Sequence, residues 1–370
     1  MSQTTPFEVF AIAPPGLETA LLNELHLLGY RDAKMVSGGV SFDGNWPDVW
    51  RANLELRCAV RVLARISSFR VMHLAQLDKR ARKVPWRDIL DPSTAVRVDA
   101  SCRKSRIYHA GAAKQRVETA LREAAGIPAS ADAAQMIKVR IEDDLCTISV
   151  DTSGPPLYKR GHKLVVGKAP LRESMAAAFL AGAGHQGTEP VVDPMCGSGT
   201  FVIEAAEIAR RLQPGRSRSF AFEQFANFDA ELFHSLKRTV DADDTPLFLG
   251  SDRDAGAVAA AKKNAETAGV SDRTCFSHLA VSDLQRPAGP AGLVITNPPY
   301  GARIGNKKLL FAVYGALGKT LKDRFSGWRV AIVTSEPQLA HATGLKFCDT
   351  GAPVPHGGLK VRLYCTGKLP

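Results

Sequence analysis

The sequence predicts an α/β protein, a doubly wound sheet in its second half preceded by a smaller α+β half, on three observations. Strand and helix patterns alternate after about residue 170. A glycine-rich turn, Cys196-Gly-Ser-Gly199, joins the first of those strands to its helix. Before residue 154 the order is instead strand, helix, two strands, helix, strand, and the breaker cluster Thr152-Ser-Gly-Pro-Pro156 separates the two patterns.

In the first half, Phe7–Ala13 is apolar on alternate positions, a strand pattern. Leu17–Leu28 has apolar residues at 17, 21, 22, 25 and 28, a helical spacing that Gly29 stops. Lys34–Phe42 reads as a glycine-interrupted strand or hairpin, Val49–Ala64 returns to helical spacing, and Ile66–Met72 is strand-like. This is β-α-β-β-α-β in outline, a ferredoxin-like order. A second α+β stretch follows, with a strand at Ala95–Ala100, a helix at Tyr108–Ala125 and short strands at Met136–Ile141 and Cys146–Asp151.

In the second half, strands are expected at Glu189–Asp193, Leu247–Asp252, Leu293–Asn297 and Arg329–Thr334. Helices are expected at Thr200–Arg211, Ala255–Ala268 (closed by Gly269) and Leu309–Lys322, and Leu345–Cys348 and Val361–Thr366 close the chain. Such alternation predicts a parallel sheet that binds ligands at the carboxyl ends of its strands.

Composition bounds the function. The chain has 370 residues, 45% hydrophobic and 23% charged, enough apolar material for a large core. No window has the ~18 uninterrupted apolar residues of a membrane span, and the N-terminus lacks a secretory pattern, so a cytoplasmic protein is expected. Seven cysteines, never spaced CxxC, argue against a disulfide framework and a structural zinc site. The nine histidines show no HxxxH or HxH spacing, so no metal is expected. The net charge is +11, which fits a polyanionic partner. Nine basic residues against three acids lie between Lys79 and Arg106, and four arginines with no acid between Arg210 and Arg218.

The chemistry is concentrated in four segments. In Val191-Val-Asp-Pro-Met-Cys-Gly-Ser-Gly-Thr200 a strand ends in an acid, and Gly197 and Gly199 allow close backbone approach at a helix start. The third glycine of the dinucleotide fingerprint is missing, and Asp193 suits a cationic ligand group such as an amino acid moiety. In Leu249-Gly-Ser-Asp-Arg-Asp254, Asp252 is placed to take ribose hydroxyls and Asp254 to cap the next helix. In Ala280-Val-Ser-Asp-Leu284, Asp283 is placed to receive an adenine amine. The sharpest segment is Val294-Ile-Thr-Asn-Pro-Pro-Tyr-Gly301. Two prolines fix the chain and remove two donors, which leaves the Asn297 side chain and the Pro298 carbonyl as acceptors for one NH₂ group. Tyr300 offers a face for stacking on a base.

DPMCGSGTFVIEAA together with NPPYG resembles the class I S-adenosylmethionine-dependent methyltransferases that act on exocyclic amines of nucleobases. RCAVRVL, SRIYHAG, PLYKRGHK, APLRES and DPMCGSGTFVIEAAEIARRLQPG resemble, more closely, the THUMP-containing RNA guanine-N2 methyltransferase family. That family includes the first half of bacterial 23S rRNA methyltransferase L and its single-unit relatives. The resemblance implies a Rossmann-like class I methyltransferase sheet behind a ferredoxin-like domain (1–65), a THUMP RNA-binding domain (66–155) and a linker (156–170). The methyltransferase domain would span 171–370. It implies that Asp193, Pro194, Cys196, Gly197, Ser198 and Gly199 cradle the methionine part of S-adenosylmethionine. Asp252 would take the ribose, Arg253 would lie alongside the adenine, and Asp283 would meet its amine. Asn297, Pro298, Pro299 and Tyr300 would hold the target base. From Asp193 to Asp252 is 59 positions, against ~20 beyond the glycine turn in a bare βαβ unit. An insertion at about 211–245 accounts for the excess; its role is not legible in the sequence, and an RNA-facing arm is a guess at it.

The expected activity is methylation of a guanine N2 amine, most of all in 23S rRNA. The alternatives are the same chemistry on tRNA, adenine-N6 methylation of RNA or DNA, and a noncatalytic RNA-binding assembly factor. Cys196 reads as a small packed residue in its loop and not as a nucleophile.

Overall fold

A computed structural model describes residues 6–163, 165, 171–239, 247–301 and 307–370. The strands run β1 (Phe7–Ile12), β2 (Lys34–Val36), β3 (Gly39–Gly44), β4 (Arg61–Arg70), β5 (Val96–Arg103), β6 (Gln135–Glu142), β7 (Leu145–Asp151), β8 (Val191–Asp193), β9 (Phe248–Asp252), β10 (Thr274–His278), β11 (Leu293–Thr296), β12 (Arg329–Thr334), β13 (Phe347–Thr350), β14 (Val354–His356) and β15 (Leu359–Thr366). The helices are α1 (Glu18–Leu27), α2 (Trp46–Glu55), α3 (Leu74–Ala81), α4 (Ala110–Ala120), α5 (Glu173–Gly182), α6 (Thr200–Ala209), α7 (Ala230–Ser235), α8 (Ala255–Ala268), α9 (Lys307–Arg324) and α10 (Pro337–Ala342). By contact the chain forms two units. The first holds residues up to 13, 24–157 and 218–237; the second holds 14–23, 158–217 and 238–370.

The first unit is built on one seven-stranded sheet, ordered β2-β3-β1-β4-β7-β6-β5. Every neighbouring pair is antiparallel except β5 with β6. The domain boundary expected at 65/66 falls inside β4, which pairs with β1 on one side and β7 on the other. The helix expected to run to Ala64 ends at Glu55, because Leu56 turns extended. Residues from Arg61 onward are strand; β4 lies between two strands and buries much of both faces, so its apolar residues lack the alternation that reveals a strand.

The stretch expected to be an insertion has a structural use in this unit. Phe220, Phe222, Phe225 and Phe233 are buried, and Phe222 stacks on Phe220 with ring centroids 5.1 Å apart. Phe228 meets Trp50 edge-on at 5.5 Å, and Phe225 meets Trp46 at 6.0 Å; both tryptophans are fully buried. Arg218 donates to the carbonyls of Ser153, Pro155 and Pro156. The middle of the segment is therefore core and not an RNA-facing arm; residues 240–246 lie outside the described residues.

The second unit is an eight-stranded sheet, ordered β10-β9-β8-β11-β12-β15-β13, with β14 paired to β15. The five strands from β10 to β12 are parallel. β15 runs antiparallel between β12 and β13, so the sheet is mixed where the sequence predicts it purely parallel. The reversal comes from the chain's last connection, a β14–β15 hairpin turned by Gly357-Gly358, both at positive φ, which needs no crossover helix. Its core packs Val294, Val330 and Ile332 of the sheet against Tyr314, Leu317 and Leu321 of α9, with Phe325 and Trp328 at the base.

Candidate active site

The expected site residues lie in the second unit, at or just past the carboxyl ends of four adjacent strands. Asp193 ends β8, Asp252 ends β9, Asp283 follows β10 and Asn297 follows β11. The turn after β8 is fixed by its own backbone. Asp193 Oδ1 accepts from Met195 N at 3.1 Å, Cys196 N donates to Ser251 O at 2.9 Å, and Gly199 N donates to Cys196 O at 2.8 Å. Pro194 is buried in the same turn.

The two glycines do different work. Gly199 (φ +86) is the N-cap of α6, where a Cβ would come 3.0 Å from Ala261 and 3.1 Å from Phe276. Gly197 (φ +51) faces open space, and a Cβ there would meet no atom within 4 Å. Its N–H donates to Asp252 Oδ2 at 2.9 Å. Asp252 Oδ1 accepts from Asp254 N at 3.0 Å, so both oxygens are oriented while each keeps a lone pair. Asp254 caps α8 as expected, accepting from Gly256 N at 2.8 Å.

Electrostatics separate the acids. Asp193 is 2% exposed, and burial, reinforced by the Asp252 charge, pushes its carboxyl up to about 7 against the opposing pull of Thr296 and the Met195 N–H. Burial and the same two carboxylates hold the Cys196 thiol far above its ordinary range, which makes it a packed residue and no nucleophile. Arg253 is exposed, and its carbonyl accepts from His278 Nε2 at 2.9 Å. Asp283 is exposed and accepts from Ser282 Oγ at 3.3 Å.

At the end of β11, Pro298 is buried and Pro299 half-buried. Asn297 Oδ1 is shielded from solvent and has no hydrogen-bond partner among the described residues. The Tyr300 hydroxyl faces the Asn297 amide, and burial pushes its phenol up to about 12. The Tyr300 ring packs partly against the α9 core, so less of it is free for stacking than the sequence suggests.

Several residues to which the sequence assigned no role support the glycine turn. Arg160, 2% exposed, pairs with Glu204 and with Glu207 (3.1 Å) on α6, and Glu207 also accepts from Arg216 at 2.5 Å. Lys163 donates to Thr200 Oγ1 at 2.9 Å and to Leu171 O at 2.7 Å, and pairs with Glu173 at 3.4 Å. Ser198, Thr200, Lys163, Glu173 and Asn264 line a small pocket beside the start of α6. Part of the expected linker is thus packed structure, and its residues 164 and 166–170 lie outside the described residues. The arginine run at 210–218 is largely consumed internally. Arg210 pairs with Asp272 at 3.0 Å, while Arg216 and Arg218 bind the groups already named. Among the described residues no group of three or more His, Cys, Asp or Glu could hold a metal, and no helix is long and apolar enough to cross a membrane.

Residues 160–352, which contain every one of these strand ends, match the RMKL-like methyltransferase domain, and residues 8–63 match the RlmL ferredoxin-like domain. The chain belongs to the RMKL-like methyltransferase family. It is 36% identical to the ribosomal RNA large subunit methyltransferase K/L of Syntrophotalea carbinolica, over 92% of this chain and 51% of that one. It is 32% identical to the Synechocystis sp. protein named "Putative RNA methyltransferase slr0064", over 97% of this chain and 96% of that one. It spans about half the length of the K/L relatives it matches. The solved structure of SMU.472 complexed with SAH is 28% identical and covers 100% of both chains at a TM-score of 0.84. The cofactor of this methyltransferase is S-adenosylmethionine. The residues fit it, with open space above Gly197 and an oriented acid at Asp252 that keeps lone pairs free.

Proposed function

We propose that this methyltransferase acts on RNA, transferring a methyl group to the exocyclic N2 amine of a guanine, with large-subunit ribosomal RNA as the leading substrate and tRNA as the second. The observation that carries the reading is the shielded, unpartnered Asn297 Oδ1 in the NPPY turn. A buried acceptor without a partner costs roughly 1–3 kcal/mol, and an amine donor from the target base supplies the missing bond. The relatives named as RNA methyltransferases support RNA over DNA, and the exposed cations of the first unit fit a phosphate backbone.

When bound, S-adenosylmethionine supplies a methyl group already activated on a sulfonium. Asp193, Pro194, Cys196, Gly197, Ser198 and Gly199 would hold its methionine end, Asp252 its ribose, and Arg253 and Asp283 its adenine. Asn297 Oδ1 and the Pro298 carbonyl accept hydrogen bonds from the target amine. That amine is a poor nucleophile, because its lone pair is delocalised into the ring. The two acceptors hold it nearer sp³ geometry, and they stabilise positive charge as it develops on nitrogen. Pro299 fixes the turn and Tyr300 supports Asn297 from the α9 side.

The test is methylation of deproteinised RNA from a strain lacking this gene, followed by nucleoside mass spectrometry. N2-methylguanosine in the rRNA fraction is the expected product; N6-methyladenosine, or label only in DNA, would overturn the reading. Asn297→Ala should lower single-turnover rate by about 10²-fold or more, with S-adenosylhomocysteine affinity retained because the cofactor contacts lie on other loops.

A further inference from the structure

We propose that Ser335 is a second hydrogen-bonding group of the target-base pocket, acting beside Asn297; this rests on the reading of the NPPY turn as the base-holding element. The sheet order divides the strand ends into two sides. The expected cofactor residues follow β8, β9 and β10, all on one side of β11. β12 lies on the other side of β11, so a base held at Asn297 and turned away from the cofactor strands meets whatever follows β12. Ser335 is the first residue after β12. The last registered pair of the two strands is Thr296 with Ile332, so Asn297 and Ser335 leave the same edge one and three residues past it.

The corner that carries Ser335 is built without using its side chain. Thr334 Oγ1 accepts from the Tyr314 hydroxyl at 3.2 Å and from Glu336 N at 3.2 Å, and Tyr314 is fully buried. Those two bonds fix the turn into α10. Ser335 Oγ is nevertheless shielded from solvent and has no partner among the described residues, the same condition as Asn297 Oδ1 on the neighbouring strand end. Native proteins seldom leave such groups unpaired without a reason. Thr296 Oγ1 and Ser251 Oγ share the condition within the strands, and Asn297 and Ser335 are the two that stand just past adjacent strand ends, where the sheet presents its substrate.

Their chemistry is complementary. Asn297 Oδ1 only accepts, which suits an exocyclic amine. A hydroxyl both donates and accepts, which suits the ring nitrogen next to that amine, whether it bears hydrogen or a lone pair. Holding both atoms fixes the base in its plane, so Ser335 orients the amine that Asn297 holds.

The experiment compares wild type, Ser335→Ala, Ser335→Thr and Asn297→Ala in single-turnover methylation of deproteinised total RNA, with calorimetric S-adenosylhomocysteine binding and thermal unfolding of each. Ser335→Ala should lower the single-turnover rate 10- to 100-fold while leaving S-adenosylhomocysteine affinity and the unfolding midpoint at wild-type values, since the lost hydroxyl has no partner among the described residues. Ser335→Thr, which keeps a hydroxyl, should recover most of the rate. Wild-type turnover by Ser335→Ala alongside a crippled Asn297→Ala would overturn the role of Ser335 and leave the base-holding turn standing. A lowered midpoint or weakened S-adenosylhomocysteine binding in Ser335→Ala would assign the residue to packing or to the cofactor and overturn the proposal. Full activity of Asn297→Ala would overturn the underlying reading, and the role of Ser335 with it.

Discussion

Asp193 is the residue whose environment asks most directly for a ligand. Its carboxyl, raised to about 7 by burial and by Asp252, is half protonated near neutrality. The sign of the consequence is fixed by that direction. The folded state binds a proton more tightly than the unfolded chain, so ionising Asp193 costs stability as pH rises from about 4 to about 7, and the loss is complete above 7. A cationic ligand group reverses the preference and binds best to the ionised form. S-adenosylhomocysteine affinity should therefore rise with pH, by up to about tenfold per unit below pH 7, and level off above it. Asp193→Asn should bind more weakly and lose the slope. Calorimetry between pH 5.5 and 8 checks both, and a flat wild-type profile would remove Asp193 from the methionine end.

At the scale of elements, the glycine turn stands on α6, and α6 is held from beneath by charge. Arg160 is fully desolvated between Glu204 and Glu207, and although burial opposes its charge the two carboxylates keep it protonated. Glu207 also receives Arg216 and lies 3.5 Å from His162. Glu207→Gln should destabilise the second unit by about 3–5 kcal/mol, the cost of stranding a buried partner, seen as a lowered urea midpoint. None of this was legible in the sequence. PLYKRGHK and the glutamates of VIEAAE lie more than 40 residues apart, with no periodicity linking them. The turn itself was legible because its requirements are local. A positive-φ glycine at 199, a capping acid at 254 and a Pro-Pro stop at 298 each act within a few residues. Short pieces such as α3 and α10 escaped for the opposite reason, since fewer than three turns carry too little pattern to separate from a loop.

At the scale of the molecule, the first unit takes part of its core from residues 218–237, which follow the first strand of the second unit in the chain. Trp46 and Trp50 are covered by Phe222, Phe225 and Phe228. Residues 1–157 expressed alone should therefore expose apolar surface, bind ANS and lack a sharp unfolding transition, whereas the same fragment joined to 218–237 by a flexible linker should fold. The net charge of +11 is also spread through both halves, and the structure sorts the basic clusters by what is left over. The arginines at 210, 216 and 218 are bound to protein groups. The loop after β5 differs: Ser105 Oγ donates to Arg103 O at 2.8 Å, Asp144 N donates to Ser105 Oγ at 3.1 Å, and Arg106 N donates to Asp144 Oδ1 at 2.7 Å. These bonds lock the backbone while Arg103 (3.6 Å from Glu142), Lys104 and Arg106 (which donates to Met72 Sδ at 3.4 Å) stay exposed beside Tyr108, which is 83% exposed. A rigid loop with outward cations and a bare ring fits phosphates and an unpaired base at low entropic cost. Replacing Arg103, Lys104 and Arg106 together by glutamine should weaken RNA binding and reduce the slope of log affinity against log salt by about 2, at roughly 0.7–0.9 for each phosphate no longer neutralised. S-adenosylhomocysteine binding should not change. A triple variant that keeps the wild-type slope from 50 to 300 mM salt would mean that this loop is only a solvated edge, and that the RNA is held elsewhere.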